Sequence, residues 1–433
     1  MKQSKNKKNL IFIIYENNLD FYLFYLEILF SKNVIHIINS NINQENLDNL
    51  VNKFSPNMII FNKKKNFNYE KNYFNNFNSE FFKVNYQKKF TNHKINPNLA
   101  ALISTSATTG SSKLVRLSYE NIYHNTRSII KYLKISHRDR LITTLPVDYT
   151  FGFSQINTHL CSNAKIILNN FSVIQKQFWD LLTKSKATTF GGVPFTFEIL
   201  DKIKFYNNNL TFLKSITQAG GKLDENIQKK FALLLKKKNI KFYIMYGATE
   251  ATSRMSYLPA KYAHKKIGSI GKAIPGGKFK LKKLNKTENK GELIYYGKNV
   301  CMGYCENIKD LQKPNLNKGK LYTGDIGYID NEGFFYISGR MKRFIKILGH
   351  RINLDELEKK IKSDLKLKNI VCTGNDNMLH LNILKKNKNK IVNLKNYLNR
   401  NLKLNSNLFK ILIINKIPRN LSGKVIYKKI KND

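Results

Sequence analysis

Thr323-Gly324-Asp325 puts a short carboxylate behind a glycine, an arrangement suited to gripping a pair of vicinal hydroxyls such as those of a ribose. Further on, Gly339-Arg340-Met341-Lys342-Arg343 places three cations within five residues and reads as a hinge between domains. LAALISTSATTGSSK, from Leu99 to Lys113, runs from apolar residues into hydroxyls, a glycine and a lysine. Such a loop presents backbone N–H groups and side-chain donors to phosphate oxygens. It is not a Walker loop, because no glycine stands at the required spacing before a Gly-Lys pair. Gln218-Ala219-Gly220-Gly221 ends an apolar run in small residues, which let a flat ring lie against backbone at a strand's end. Tyr246-Gly247-Ala248-Thr249-Glu250 adds a ring for stacking, a hydroxyl for a phosphate oxygen and a carboxylate for Mg²⁺, a hard cation that takes oxygen ligands. Near the end, Pro418-Arg419-Asn420-Leu421-Ser422-Gly423-Lys424 sets a lysine in a Ser/Gly loop. Taken singly, each of these is an ordinary turn, cap or solvated cation.

The elements that must position them alternate. Leu10 to Tyr15, Val34 to Ile38 and Met58 to Phe61 read as buried strands, separated by helices at Leu19 to Phe30 and Glu45 to Phe54, the rhythm of an α/β sheet with right-handed crossovers. Residues 62–95, rich in Lys, Asn, Phe and Tyr without a period, read as a variable loop or insertion. Ser118 caps a helix through Leu133, and strands follow at Arg140 to Leu145, Ala164 to Leu168, Thr188 to Pro194, Leu213 to Ile216 and Phe242 onward. From Ile267 the texture changes to short strands and turns, which predicts a small, mostly antiparallel subdomain. Its last two strands surround a hairpin turn at Asn331-Glu332-Gly333. Beyond the hinge, a strand at Phe344 to Leu348, a helix opening on the acids of Leu354 to Glu358, strands at Asn369 to Thr373, Leu379 to Ile383 and Lys410 to Ile414, and a helix at Asn393 to Leu402 predict a compact α+β lid.

The ordered string TGD, GR, IK-x-x-G-x-x-I and an acidic helix start resembles the signature of the adenylate-forming (AMP-binding) superfamily of acyl-CoA synthetases, amino-acid adenylation domains and luciferases. That resemblance implies an α/β chain with two domains. The first, residues 1–340, is a large nucleotide- and acid-binding domain of several subdomains, with the antiparallel β subdomain at about 265–340. The second, residues 341–433, is a mobile lid. It also implies that Asp325 and Arg340 hold the ATP ribose, that the lid swings about Lys342, and that Lys346 with Gly349 serves a second half-reaction. Ser106, Thr108, Thr109, Gly110 and Lys113 match the family's phosphate loop, with Ala107 where a glycine is usual and Ser112 where a proline is usual. Ala219, Gly220 and Gly221 match its adenine shelf, Tyr246, Gly247 and Thr249 its nucleotide loop, Glu250 its Mg²⁺ carboxylate and Lys424 its catalytic lysine. Tyr149 stands where acyl-CoA synthetases commonly carry a histidine, and Asp148 is out of register with the ammonium-binding aspartate of amino-acid adenylation domains, so the acid stays open. The implied activity is ATP-dependent conversion of a small carboxylic acid to an acyl adenylate with release of pyrophosphate. Transfer to the thiol of CoA or of a phosphopantetheine on an acyl or peptidyl carrier protein follows. The chain also begins late relative to the family, and that departure, with the altered loop, supports an alternative: an inactive relative that binds nucleotide or a polyanion.

Composition bounds the rest. At 433 residues the chain exceeds one core, and 42% apolar residues suffice for packed interiors. The net charge of +46 comes mostly from lysines scattered with asparagine and isoleucine, a pattern of AT-rich coding, and no nucleic-acid motif accompanies it, so nucleic acid is not an expected partner. Cys161, Cys301, Cys305 and Cys372 are too few and too widely spaced for a disulfide scaffold or a zinc finger, which fits a reducing cytoplasm. No apolar run approaches a membrane span, and Leu10 to Tyr15 is too short for a signal-peptide core.

Overall fold

Alternation of buried side chains accounts for the first sheet. In the strand Leu10–Ile14 every residue is buried, with Ile11 and Ile13 facing one apolar cluster and Leu10, Phe12 and Ile14 facing another. A strand covered on both faces reads as a continuous apolar run, the mark of a parallel sheet under helices. The structure is a computed structural model that describes residues 8–65, 67, 73–78, 82–87, 93–105, 113–283, 289–347, 350–367, 369–402, 405–419 and 425–430. Two compact units divide it: residues 1–278 with 295–321, and residues 279–294 with 322–433.

The first unit holds two sheets. In one, Leu10–Ile14 pairs in parallel with Val34–Ile38 and Met58–Asn62, and Val34–Ile38 with Leu99–Ser104. The antiparallel strands Leu114–Ser118 and Gly303–Cys305 extend one edge. The other edge overturns one expectation. Within residues 62–95 the strands Tyr73–Asn78 and Phe82–Gln87 form an antiparallel ladder on Met58–Asn62, where a variable loop or an insertion was expected; the loop is overturned. Phe82 and Val84 are buried and alternate with Lys83 and Asn85, a period of two confined to six residues within Lys- and Asn-rich sequence.

The second sheet of this unit runs in parallel through Lys165–Ile167, Arg140–Ile142, Thr189–Gly192, Ser215–Gln218 and Lys241–Tyr246. Antiparallel strands Ser256–Leu258 and Ser269–Ala273 follow. Helix Tyr119–Leu133 starts in a reciprocal cap: Ser118 Oγ accepts from Asn121 N at 3.0 Å, and Asn121 Oδ1 accepts from Ser118 N at 2.9 Å. Such a cap contributes roughly 1 kcal/mol.

Strands Gly277–Lys283, Gly291–Gly297, Lys320–Ile329 and Phe335–Arg340, most of whose residues fall in the second unit, lie side by side. The turn between the last two is tied by Asp330, whose Oδ1 accepts from Glu332 N and Phe334 N at 3.0 and 2.9 Å. A hairpin of Phe344–Ile347 and His350–Asn353 then leads to helix Leu354–Asp364, which Asn353 caps. The strands Ile370–Asn375, Met378–Leu384 and Phe409–Ile414 make a three-stranded sheet, with helix Ile391–Leu402 before the last. Its apolar cluster includes Ile345, Leu357, Ile361, Leu381 and Leu394. Among the described residues no helix is long and apolar enough to cross a membrane.

Candidate functional site

Parallel register brings three of the predicted stretches to one end of a sheet. Gly192 stands opposite Gln218, and Gln218 opposite Ile244, so Gly191-Gly192, Ala219-Gly220-Gly221 and Tyr246-Gly247 end neighbouring strands. Carboxyl ends of strands in open α/β sheets are where ligands bind. Gln218 is fully buried, and its Nε2 donates to the Gly221 carbonyl at 2.9 Å, which fixes the small-residue turn. Gly220 has φ +87°, and a Cβ there would sit 2.3 Å from the Tyr149 hydroxyl oxygen. Only glycine satisfies both conditions.

Glu250 lies on the short turn Thr249–Ala251, directly after these strand ends. The turn is doubled back so tightly that a Cβ on Gly247 would meet Ser253 O at 1.5 Å. Asn299 holds it, donating from Nδ2 to the carbonyls of Ala251 and Arg254, both at 2.9 Å, while Thr252 Oγ1 donates to Asn299 O at 2.7 Å. Asn125, on helix Tyr119–Leu133, donates to the Arg254 carbonyl at 3.0 Å. The side chain of Glu250 receives a hydrogen bond from the Tyr304 hydroxyl, 2.9 Å from Oε1. Burial, and then that carboxylate, push the Tyr304 phenol up, so it stays protonated and donates.

Tyr304 belongs to Gly303–Cys305, which pairs with Leu114–Ser118 next to the predicted phosphate loop. Lys113 Nζ lies 2.8 Å from Glu306 Oε1 and 5.8 Å from the centre of the Tyr304 ring. Lys113, Tyr304 and Glu250 are thus linked around one tyrosine. Beneath them, the buried Arg116 donates to the carbonyls of Tyr304, Met302, Lys313 and Pro314 at 2.6 to 3.2 Å, holding segment 302–314 in place. Tyr304 and Arg116 escaped the sequence reading. A tyrosine between two buried cysteines and an arginine inside a strand carry no local mark; only strand pairing reveals them.

In the second unit, Asp325 and Arg340 face each other across antiparallel strands, with Arg340 Nε 2.9 Å from Asp325 Oδ1. Gly324, with φ +68°, and the bond from Thr323 Oγ1 to the Leu293 carbonyl at 2.7 Å shape the approach to that carboxylate. Arg343, the last cation of the expected hinge, is committed elsewhere. Its Nε lies 2.6 Å from Asp355 Oδ1, its Nη2 2.5 Å from Glu358 Oε1, and its guanidinium stacks 3.7 Å from the Tyr427 ring.

Asp148, left unassigned above, is half-buried, and its Oδ2 accepts from Asn39 Nδ2 at 2.8 Å; loss of solvation pushes its carboxyl up. Cys301, Cys305 and Cys372 are buried free thiols, and Cys161 is exposed. Ser106, Thr108, Thr109, Gly110, Gly349 and Lys424 lie outside the described residues, as do the side chains of Lys342 and Lys346. Among the described residues no three His, Cys, Asp or Glu side chains cluster as a metal cage. A single carboxylate such as Glu250 fits instead the Mg²⁺ sites that take one or two carboxylates and complete their shell with phosphates and water.

Comparison with known proteins bears on the family and the fold. A family model described as AMP-binding enzyme matches residues 3–305. A luciferin 4-monooxygenase from Nipponoluciola cruciata is 29% identical over 270 residues, 60% of this chain and 48% of that protein. A 2-succinylbenzoate–CoA ligase from Listeria innocua is 28% identical over 261 residues, 60% of this chain and 53% of that protein. The chain spans about half the length of these curated relatives it matches. O-succinylbenzoate Coenzyme A Synthetase from Bacillus subtilis, solved with ATP and magnesium ion, superposes with a TM-score of 0.76 at 20% identity, covering 99% of this chain and 90% of that one. This likeness establishes the fold.

Proposed function

The chain belongs to the AMP-binding enzyme family, and we propose on that premise that it joins a carboxylic acid to AMP at the expense of ATP and passes the acyl group to a thiol. The observation that carries the reading is the convergence at one sheet end of the Ala219–Gly221 turn and the Thr249-Glu250 turn, with Lys113 drawn to Glu250 through Tyr304.

In this mechanism the adenine lies along Ala219-Gly220-Gly221 under Tyr246, and Asp325, oriented by Arg340, takes the ribose hydroxyls. Ser106, Thr108, Thr109, Gly110 and Lys113 donate to the β- and γ-phosphates, and Thr249 to an oxygen of the α-phosphate. Glu250 would hold Mg²⁺, which when bound offsets phosphate charge. Lys424 bridges the acid carboxylate and the α-phosphate, so that two anions approach without repulsion. A carboxylate oxygen then bonds to the α-phosphorus, the α–β anhydride bond breaks, and pyrophosphate leaves with that electron pair. Most of the acceleration comes from positioning. A lid of residues 341–433, turning about Lys342, next brings Lys346 and Gly349 to the site. The thiol sulfur bonds to the acyl carbon, the acyl C–O bond to the phosphate breaks, AMP departs with that electron pair, and the thiol proton passes to water. CoA, or a carrier protein bearing phosphopantetheine, would supply that thiol.

The test is pyrophosphate–ATP exchange with purified protein and a panel of acids. Exchange that requires an acid, and its loss in Lys424→Ala with ATP binding retained, is the expected result. ATP binding with no exchange on any acid would overturn the proposal and leave a nucleotide-binding relative.

A further inference from the structure

Among the described residues two arginines are buried inside the first unit, and one of them is satisfied. Arg116 spends its donors on four backbone carbonyls. Arg254 is 3% exposed, yet among the described residues its Nη1 reaches only the Ser253 hydroxyl at 3.0 Å, its guanidinium lies 3.7 Å over the Phe151 ring, and its Nε has no partner. Tyr132 bonds to it as well, and no carboxylate among the described residues pairs with it. A buried cation without an anion is costly, which is why such charges are normally paired.

Its position is specific. The Arg254 Cα lies 3.0 Å from where a Gly247 Cβ would be, beside the strand end that carries Tyr246 and Glu250. The Phe151 ring under the guanidinium reaches within 2.9 Å of a Cβ built on Gly191, at the end of the neighbouring strand. Arg254 lines a cavity of about 130 Å³ together with Ser154, Gln155, His159, Thr217 and Met245. Within it a second buried atom has no partner among the described residues: His159 Nδ1 donates to the Gln155 carbonyl at 2.8 Å, leaving Nε2 as an acceptor. An engineered cavity of about 150 Å³ admits benzene, so this space takes a group of roughly that size. Ile129, Leu133 and Asp139 line it as well, the last with its carboxylate committed to Lys214 Nζ at 3.2 Å, so within this mixed lining Arg254 is the buried charge left for an anion.

We propose that Arg254 is the counter-ion for a second carboxylate at the far end of the acid, so that the substrate is a short dicarboxylic acid activated at one end and held by its other. The inference rests on the adenylation reading above. On binding, the distal carboxylate accepts from Arg254 Nε, and a water or substrate hydroxyl donates to His159 Nε2. The same cation repels substrates whose far end is an ammonium.

Pyrophosphate–ATP exchange tests it with pairs matched in length: succinate against butyrate, glutarate against valerate, adipate against hexanoate. Rejection of an analogue that leaves a buried polar group unpaired predicts that at least one diacid exceeds its partner in kcat/KM by about tenfold or more. Arg254→Met should lower that diacid-to-monoacid ratio by about tenfold or more, with circular dichroism confirming that the variant is folded. A wild-type preference for the monoacid in every pair, or a ratio unchanged in Arg254→Met, overturns the counter-ion. If that variant does not fold, the wild-type pairs decide alone. No exchange with any acid overturns the adenylation reading itself.

Discussion

Asp325 is almost entirely buried while the Arg340 that pairs with it, Nε to Oδ1 at 2.9 Å, keeps 63% of its side chain exposed. An ion pair with one arm in water is worth at most about 1 kcal/mol to the fold. Its value lies in orienting the carboxylate. Arg340→Met should therefore leave the thermal midpoint nearly unchanged, with a loss below about 1 kcal/mol. ATP binding, measured by titration calorimetry, should weaken by about tenfold, equivalent to about 1.4 kcal/mol. A large drop in stability would make the pair structural.

Tyr304→Phe removes only the hydroxyl that donates to Glu250. Loss of one partly exposed hydrogen bond costs about 0.5–1.5 kcal/mol. The functional effect should be larger, because the carboxylate loses the group that orients it: the KM for magnesium–ATP should rise about tenfold. Steady-state exchange kinetics at varied Mg²⁺ check this.

Gly220→Ala should destabilise through two separable effects, a left-handed backbone and a clash with Tyr149. Added to Gly220→Ala, Tyr149→Phe removes the atom 2.3 Å away and should recover part of the loss. About 1 kcal/mol of backbone strain should remain. Urea unfolding of the two single variants and the double variant measures the coupling.

His36 is fully buried, with Nδ1 donating to the Leu102 carbonyl at 2.8 Å, and burial lowers its pKa from 6.5 to about 4. In the unfolded chain it binds a proton below about pH 6.5; in the folded chain it does so only near pH 4. The unfolded state therefore holds more protons in that window, and stability rises with pH through it. The stabilisation is complete above about pH 6.5 and falls by about 3 kcal/mol as pH drops to about 4. Buried His159, also lowered by desolvation, acts in the same direction. Urea midpoints between pH 4 and 7 should show the slope, and His36→Leu should reduce it.

Several elements were legible because local and global preferences agree. Helix Leu19–Phe30 and strand Val34–Ile38 fall where apolar runs and caps put them, and Ser118 caps its helix as its type suggests. The strands Tyr73–Asn78 and Phe82–Gln87 were missed because each is only six residues long, and the alternation in Phe82–Gln87 gains its meaning from pairing with Met58–Asn62.

Residue type and order by themselves determined the α/β class, the ordered signature from Thr323 to Glu358, and the candidate chemistry of Ala219–Gly221 and Tyr246–Glu250, because turn geometry and charge are properties of a few neighbours. Tertiary structure alone decided that Tyr304 meets Glu250, that Arg116 ties down segment 302–314, and that Arg254 lies buried with no anion beside it among the described residues. Those relations join residues 54 to 198 positions apart, or depend on burial by several elements at once. Strand pairing and exclusion of water create them, and no spacing along the chain encodes either.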